Sequence, residues 1–211
     1  MLIILVGATL DVAKNSRAHF EKKGYSVISK YNYRPADKAI AHYDTFVGSP
    51  EEEVDACDFV YTIHGGKTGF YKAQIMDAVR GRSNALMTMS PDNLDFVKEI
   101  RDSFGEYVIP VYLYIDEKSL EDVTRKHIVK ESEVALRLKT GSDLRKLYLD
   151  HILLFDKTVI YSTSDEFDMD ALYAQYDIII DQAEKLQKKL NERLYVGLPY
   201  TGNQPYVFVS Y

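Results

Sequence analysis

The chain has 211 residues, 46% hydrophobic and 27% charged, a balance typical of a globular protein large enough to bury one core. Its net charge of −6 excludes the strongly basic field of general nucleic-acid binders, and the single Cys57 excludes a disulfide framework and fits a reducing compartment. No apolar run reaches the roughly 18 residues of a membrane span, and residues 2–6 are too short for a signal-peptide core. We therefore expect one cytoplasmic domain with no nucleic-acid partner and no membrane partner.

The most informative segment is the first. Residues 2–6 form an apolar run that predicts a buried strand, which Gly7 ends before a helical pattern begins. This is the layout of a phosphate-binding loop, in which backbone N–H groups and a helix dipole favour an anion. Lys14, however, stands seven residues after Gly7 rather than six. Ala13 replaces the second glycine of that motif, and Asn15 replaces the hydroxyl residue that binds Mg²⁺. We expect an aberrant loop with weak affinity for ATP.

Beyond this loop, predicted strands and helices alternate, which indicates a parallel sheet covered by helices on both faces. Apolar runs predict strands at residues 2–6, 25–29, 85–89, 107–114 and 157–161. Helical spacing of apolar residues predicts helices at 70–79, 93–103, 119–126, 130–154 with a break near 140–142, and 168–194. Short strand-like pieces between about 30 and 65 predict a small antiparallel insertion. The segment after Gly197 is predicted to be irregular, with residues 206–211 able to add an edge strand.

The order and spacing of these parts resemble the guanylate kinase family over roughly residues 2–190. Arg34-Pro35 stands where that family has Thr-Thr-Arg-Pro, and the run from His64 to Gly69 stands where it has Gly-Asn-Tyr-Tyr-Gly. The resemblance implies an α/β fold: a three-layer P-loop-type parallel sheet with helices on both faces, plus a small nucleotide-monophosphate-binding insertion and a lid. It places the core at about 1–30, 66–123 and 146–195, the insertion at about 31–65 and the lid at about 124–145.

On the donor side, the resemblance implies ATP and Mg²⁺ as the cofactors of an active protein. Lys14 aligns with the lysine that contacts the β- and γ-phosphates, and Gly7 with the first glycine of the loop. Ser16 or Thr9 is the hydroxyl residue available for Mg²⁺. Arg137 aligns with one of the family's paired arginines, and Arg125 with a lid arginine. Both arginines would stabilise the charge on the transferring phosphoryl group.

On the acceptor side, Arg34 aligns with the arginine that binds the monophosphate. Lys38 is the nearest substitute for the family's second arginine, as a point charge in place of a bidentate fork. The family's phosphate-binding tyrosine falls on Lys67 or Thr68. The ligand implied is a nucleotide or another phosphorylated small molecule.

Each assignment has a structural alternative. Lys14 is equally well explained as a solvated surface lysine, whereas Arg34 is better explained as an exposed loop residue. Arg137 has Glu133 four residues earlier, the spacing of a helical ion pair. The acidic residues between 165 and 170 are better explained by the dipole of the following helix than by a metal site.

Two hypotheses about function follow. The first is an enzyme of diverged specificity that transfers a phosphoryl group from ATP to a nucleoside monophosphate, favoured by retention of Lys14, Arg34 and Arg137. A variant of it is a diverged kinase that acts on another phospho-acceptor. The second is a catalytically inactive guanylate-kinase-like module that binds a phosphorylated or protein partner. The family's Asp-x-Asp falls on Thr88 and Ser90, and the loss of its carboxylates favours the second hypothesis.

Overall fold

The computed structural model describes residues 1–7, 10–33, 46–63, 66–79, 83–89, 94–163 and 169–196. The strands are β1 (Leu2–Val6), β2 (Tyr25–Val27), β3 (Lys30–Tyr33), β4 (Phe46–Gly48), β5 (Phe59–Ile63), β6 (Gly66–Phe70), β7 (Asn84–Met89), β8 (Val108–Ile115) and β9 (Lys157–Tyr161). The α-helices are α1 (Leu10–Lys22), α2 (Glu51–Asp55), α3 (Lys72–Val79), α4 (Leu94–Phe104), α5 (Glu117–His127), α6 (Glu131–Asp150) and α7 (Met169–Val196).

The core sheet has the strand order β2-β7-β1-β8-β9, and all of its pairings are parallel. This confirms the predicted parallel sheet, because each of its five strands overlaps one predicted range. β1 lies at the centre, with Leu2 level with Ala85 of β7 and with Val108 of β8. Every residue of β1 is fully buried, as expected of a strand covered on both faces.

The side chains of β1 alternate between two hydrophobic cores, one on each face of the sheet. Ile3 and Leu5 pack in the core that α1 and α7 cover, whereas Ile4 and Val6 pack in the core that α3 and α4 cover. The result is the predicted three-layer arrangement, with helices on both faces of a parallel sheet.

A second sheet has the strand order β4-β3-β6-β5. Its β3–β6 and β5–β6 pairs are antiparallel, as predicted, but β3 and β4 are parallel, so the prediction of a wholly antiparallel insertion is wrong. The chain has twelve residues, 34–45, between those two strands, about the length that a parallel connection requires. Phe59 and Phe70 of this sheet each pack against Phe96 of α4, with ring centroids 5.3 Å apart, which joins it to the core.

The predicted break near residues 140–142 is wrong, because α6 is continuous through Gly141. A side chain at Gly141 would overlap Leu120 of α5. The glycine therefore permits close packing of α5 against α6, at the modest cost that glycine carries inside a helix. The predicted helix at 168–194 corresponds to α7, and the predicted tail after Gly197 lies outside the described residues.

Candidate functional site

The candidate site lies at the carboxyl edge of the core sheet, where ligands bind in open α/β sheets. At this edge Gly7 follows β1, and its N–H donates to the Met89 carbonyl at the end of β7 over 3.1 Å. Gly7 has a φ of +96°, and a Cβ there would lie 2.8 Å from the Leu113 carbonyl oxygen of β8. The turn therefore requires glycine for its backbone conformation and for the close approach of β8.

The connection from Gly7 to α1 is short. Only residues 8 and 9 separate Gly7 from Leu10, the first residue of the helix. Lys14 consequently lies on the second turn of α1, away from the helix N-terminus where backbone N–H groups bind an anion. Its side chain is exposed and makes no hydrogen bond or ion pair with another residue in the described part of the chain.

Ser16 lies in the core rather than beside the loop. Its side chain is fully buried, and its Oγ is 2.6 Å from the Val12 carbonyl oxygen and 2.7 Å from the Tyr176 hydroxyl of α7. Burial raises the pKa of Tyr176 above its ordinary value. A hydroxyl engaged in two short hydrogen bonds inside the core does not fit a ligand of Mg²⁺.

These positions do not reproduce the donor set that ATP and Mg²⁺ require. Lys14 is exposed on the second turn of α1 rather than at its N-terminus, and the Ser16 hydroxyl is buried in the core. Within the ranges given above, no three His, Cys, Asp or Glu side chains are grouped to hold a metal ion. We therefore derive no chemical step through ATP or Mg²⁺.

Substitution of Ser16 tests its assignment to the core. We expect Ser16→Ala to lower the free energy of unfolding by about 1–2 kcal/mol, because the buried Tyr176 hydroxyl loses a hydrogen-bond partner. Urea unfolding of Ser16→Ala, Tyr176→Phe and the double variant should give a coupling energy between the two residues. A role in metal binding would appear instead as stabilisation by Mg²⁺ that is present in the wild type and lost in Ser16→Ala.

The described residues include two buried cations, and the sequence did not reveal either of them. Arg17 of α1 is 9% exposed, and Lys30 at the start of β3 is 4% exposed. The ammonium of Lys30 donates to the carbonyl of Thr88 in β7. Burial, and then the charge of Arg17, lower the pKa of Lys30 to about 7. In the sequence, Lys30 merely follows a short strand, and nothing in its local pattern distinguishes it from a surface lysine.

The acceptor-side residues that the structure describes lie on β6. Thr68 is fully buried and donates through Oγ1 to Oδ1 of Asn32 on β3 over 3.2 Å. The Lys67 ammonium lies 2.8 Å from a carboxylate oxygen of Glu51 and of Asp55, both on α2. Hydrogen bonds to Asp55 and Glu51 raise the pKa of Lys67 above its ordinary value. Lys67 is thus held by α2.

Arg34 and Lys38 lie outside the described residues, as does Ser90. Arg34 follows Tyr33 directly, and Tyr33 is level with Lys67 across the β3–β6 pair. The assignment of Arg34 to the monophosphate therefore stays a prediction.

The predicted lid residues lie on α5 and α6. The guanidinium of Arg125 makes a two-pronged contact with Glu131, over 2.9 and 3.0 Å, and its Nε donates to Glu121 over 2.7 Å. Glu131 and Glu121 raise the pKa of Arg125, and Arg125 in turn lowers the pKa of Glu131. Arg137 is half-exposed on α6 and makes no hydrogen bond or ion pair within the described ranges.

A polar network closes the same edge after β8. Asp116 caps α5, accepting from the Ser119 N–H over 2.9 Å and from the Ser119 hydroxyl over 2.6 Å. The Ser119 oxygen accepts from the N–H of Thr163, which follows β9, over 2.7 Å. Burial favours a higher pKa for Asp116, but the hydrogen bonds from Ser119 outweigh it and hold that pKa below its ordinary value. These residues fix the ends of β8 and β9 to each other.

Two surface clefts lie at the opposite, amino end of the core sheet. Arg101 and Asp102 of α4 line both clefts, and Val108 and Lys157 at the starts of β8 and β9 line one of them. Neither cleft adjoins Gly7 or Lys30.

Comparison with known proteins supports the fold. No family model matches the chain, and no curated protein matches it. The crystal structure of guanylate kinase from Anaplasma phagocytophilum is similar, with a TM-score of 0.57 and 13% sequence identity over 89% of this chain and 85% of that one. A gluconokinase from Sinorhizobium meliloti 1021 also matches, with a TM-score of 0.41 and 15% identity over 92% of this chain and 95% of that one.

The chain therefore has an α/β fold similar to that of the Anaplasma guanylate kinase structure, with a five-stranded parallel core sheet flanked by helices. In the part of the chain that the structure describes, no helix combines the length and the apolar character needed to cross a membrane.

Proposed function

We propose that this chain is a guanylate-kinase-like protein that binds a nucleoside monophosphate, or a closely related phosphorylated small molecule, and that transfers phosphoryl groups from ATP poorly or not at all. The observation that carries this proposal is a contrast between the two sides of the site. The second sheet is present on the acceptor side, whereas the donor-side residues in the described ranges do not form a set that would hold ATP and Mg²⁺.

Binding of the monophosphate at the second sheet is supported by the packing of that sheet on the core and by the cationic residues assigned to it. The second sheet is joined to the core by aromatic contacts of Phe59 and Phe70 with Phe96. Its strand β3 leads directly to Arg34, the residue that the family resemblance assigns to the monophosphate. The proposed phosphate-binding residues also include Lys38, Lys67 and Thr68. Lys67 would have to leave its ion pairs with Glu51 and Asp55 to reach the ligand.

The short loop on the donor side is the reason to expect that ATP binds weakly. The two-residue connection between Gly7 and α1 is too short to wrap backbone N–H groups around a β-phosphate as an intact loop does. We expect an affinity for ATP at least tenfold below that for the preferred monophosphate. Micromolar binding of ATP that Lys14→Ala abolishes would contradict this.

A second candidate is an active nucleoside monophosphate kinase. It is favoured by Arg137, which is half-exposed and makes no polar contact within the described ranges. In this candidate Arg137 and Arg125 act on the transferring phosphoryl group. Arg137→Ala would then lower kcat by about 100-fold or more with little change in binding of the monophosphate.

If the chain is instead an inactive scaffolding module, its ligand is a protein partner that binds at the acceptor-side surface.

Calorimetry separates these candidates. We expect at least one of GMP, AMP, CMP and UMP to bind with a dissociation constant of about 1–100 μM, typical of small-ligand sites. Arg34→Ala should weaken that binding by about tenfold or more, because a charge-assisted hydrogen bond to phosphate is lost. Lys22→Ala is the matched control, since Lys22 is an exposed cation on α1. Binding of none of the four nucleotides would overturn the proposal.

A coupled assay for ADP release with the same four acceptors tests the second candidate. We expect no turnover above the uncatalysed rate. Turnover with any acceptor, reduced by Arg137→Ala and not by Lys22→Ala, would establish the kinase instead.

A further inference from the structure

We propose that the amino end of the core sheet carries a dimer interface, made of a cleft beside α4 and three exposed apolar side chains where α6 ends. The three side chains are those of Leu149, Ile152 and Leu153, which together form the apolar patch. The occupant that we infer for this surface is a second copy of the chain. The inference concerns assembly and does not depend on the ligand of the proposed function.

The apolar patch lies at the turn after α6. Leu149 is on the last turn of that helix, and Ile152 and Leu153 belong to the 3₁₀ turn Ile152–Leu154 that follows. All three side chains are exposed, and Leu153 is 94% exposed. Single exposed apolar residues are common on protein surfaces, whereas a group of them marks a site of protein interaction. Packing against the described residues therefore does not account for the patch.

Arg101 of α4 holds this turn in place. Its guanidinium donates to the Leu154 carbonyl and contacts the Asp156 carboxylate over 2.7 Å. Within the turn, the Leu154 N–H donates to the His151 carbonyl over 2.9 Å. The surface is thus fixed before a partner arrives, and a preformed surface loses less conformational entropy on binding.

The shape of the surface favours a second copy as the occupant. A cleft of about 480 Å³ lies between α4 and the turn after α6, and Leu153 lines it. In a twofold-symmetric dimer the same surface serves both partners, so an exposed side chain has to find its recess on the same face of the other copy. Leu153 and the cleft provide the side chain and the recess on one face.

The charges around the cleft also favour a second copy. The charged side chains that line it, within the described ranges, are two cations and two anions: Lys98, Arg101, Asp102 and Asp150. Lys98 and Asp150 are exposed and make no ion pair in the part of the chain that the structure describes. A partner with one sign of charge gains nothing from such a mixture, whereas a twofold axis can bring Lys98 of each copy to Asp150 of the other.

The size and place of the patch set the expected strength of the dimer. Three side chains cover only part of the roughly 800 Å² that each partner buries in a standard interface, so we expect a reversible dimer. The cleft is at the end of the core sheet opposite Gly7. A second copy bound there leaves the carboxyl edge of the sheet open.

Sedimentation equilibrium of the full chain tests the interface. We expect the wild type to form a dimer with a dissociation constant of about 10–100 μM. Leu153→Asp and, independently, Leu149→Asp should each weaken self-association by about 50-fold or more, because a carboxylate would enter an apolar contact. Val129→Asp is the matched control. Val129 is 98% exposed but lies before α6, about 30 Å from the patch along that helix, so its substitution should leave the dimer unchanged.

Exchange of charges tests the twofold arrangement. Lys98→Glu and Asp150→Lys should each weaken self-association by about tenfold or more, since each substitution places like charges opposite one another. An equimolar mixture of the two variants should recover the wild-type affinity, because positions 98 and 150 then carry opposite charges at both contacts of the heterodimer. Each variant is first checked for a cooperative urea transition.

Three results would overturn the inference. A wild type that stays monomeric up to about 1 mM would leave the surface to another occupant. A dimer that persists unchanged in Leu153→Asp and Leu149→Asp would have its contact elsewhere on the chain. A mixture of Lys98→Glu and Asp150→Lys that associates no better than either variant alone would remove the charge complementarity that selects a second copy.

Discussion

Raising the pH from 7 to 9 is expected to stabilise the folded chain by about 2 kcal/mol through Lys30 alone. The pKa of Lys30 is about 7 in the folded chain, below its ordinary value of 10.5, which we take for the unfolded chain. Between these two values the unfolded state binds more protons than the folded state, so the free energy of unfolding rises with pH. The sign follows from burial, which disfavours the charged ammonium.

Urea unfolding at pH 7, 8 and 9 checks this prediction by comparing the wild type with Lys30→Met. The variant lacks the titrating group, so the difference between the two pH dependences isolates Lys30 from every other group. Lys22→Met, on the exposed face of α1, should keep the rise seen in the wild type. Parallel pH dependences of wild type and Lys30→Met would show that Lys30 keeps an ordinary pKa and is not buried as described.

Substitution of Gly7, at the turn after β1, is expected to lower the stability of the fold strongly. Gly7→Ala should lower the free energy of unfolding by about 3 kcal/mol or more. Part of this comes from the φ of +96°, which an L side chain rarely adopts. The rest comes from a Cβ only 2.8 Å from the Leu113 carbonyl oxygen, which belongs to a central strand and has little room to move.

Gly24→Ala is the matched control for Gly7→Ala. Gly24 also has a positive φ, +83°, but a Cβ there would have nothing within 4 Å. It should therefore cost only the conformational term, about 1 kcal/mol. Denaturant unfolding of both variants compares their losses in free energy of unfolding. If Gly7→Ala does not fold while Gly24→Ala does, the result still supports the prediction. Equal costs for the two would contradict the close approach of β8 to Gly7.

The core sheet was predictable because its strands carry a strong local signal. Residues such as Ile3 and Ile4 belong to an uninterrupted apolar run, which is what burial on both faces of a parallel sheet demands. The predicted break at Gly141 was wrong for a different reason. Glycine signals a chain break only in the absence of tertiary contacts, and here its missing side chain makes room for Leu120.

The candidate site was less predictable than the fold, since its chemistry depends on contacts between residues far apart in sequence. Ser16 has the hydroxyl that a metal site needs, but its partner Tyr176 is 160 residues away. Lys30 is distinguished by its contact with Thr88, 58 residues later. The local sequence around Ser16 or Lys30 does not indicate either of these distant contacts. The register places Asn32 and Tyr33 of β3 level with Thr68 and Lys67. The roles of Arg34 and Lys38 come from the family resemblance alone and stay predictions.

A crystal structure of the chain grown with its preferred nucleoside monophosphate tests the central claim most directly. We expect the nucleotide beside the β3–β6 pair, with phosphate oxygens within about 3 Å of the Arg34 guanidinium. We also expect that the same crystals, given ATP and Mg²⁺ instead, show no triphosphate at the connection between Gly7 and α1. A nucleotide bound only at that connection, with its phosphates on Lys14, would contradict the account.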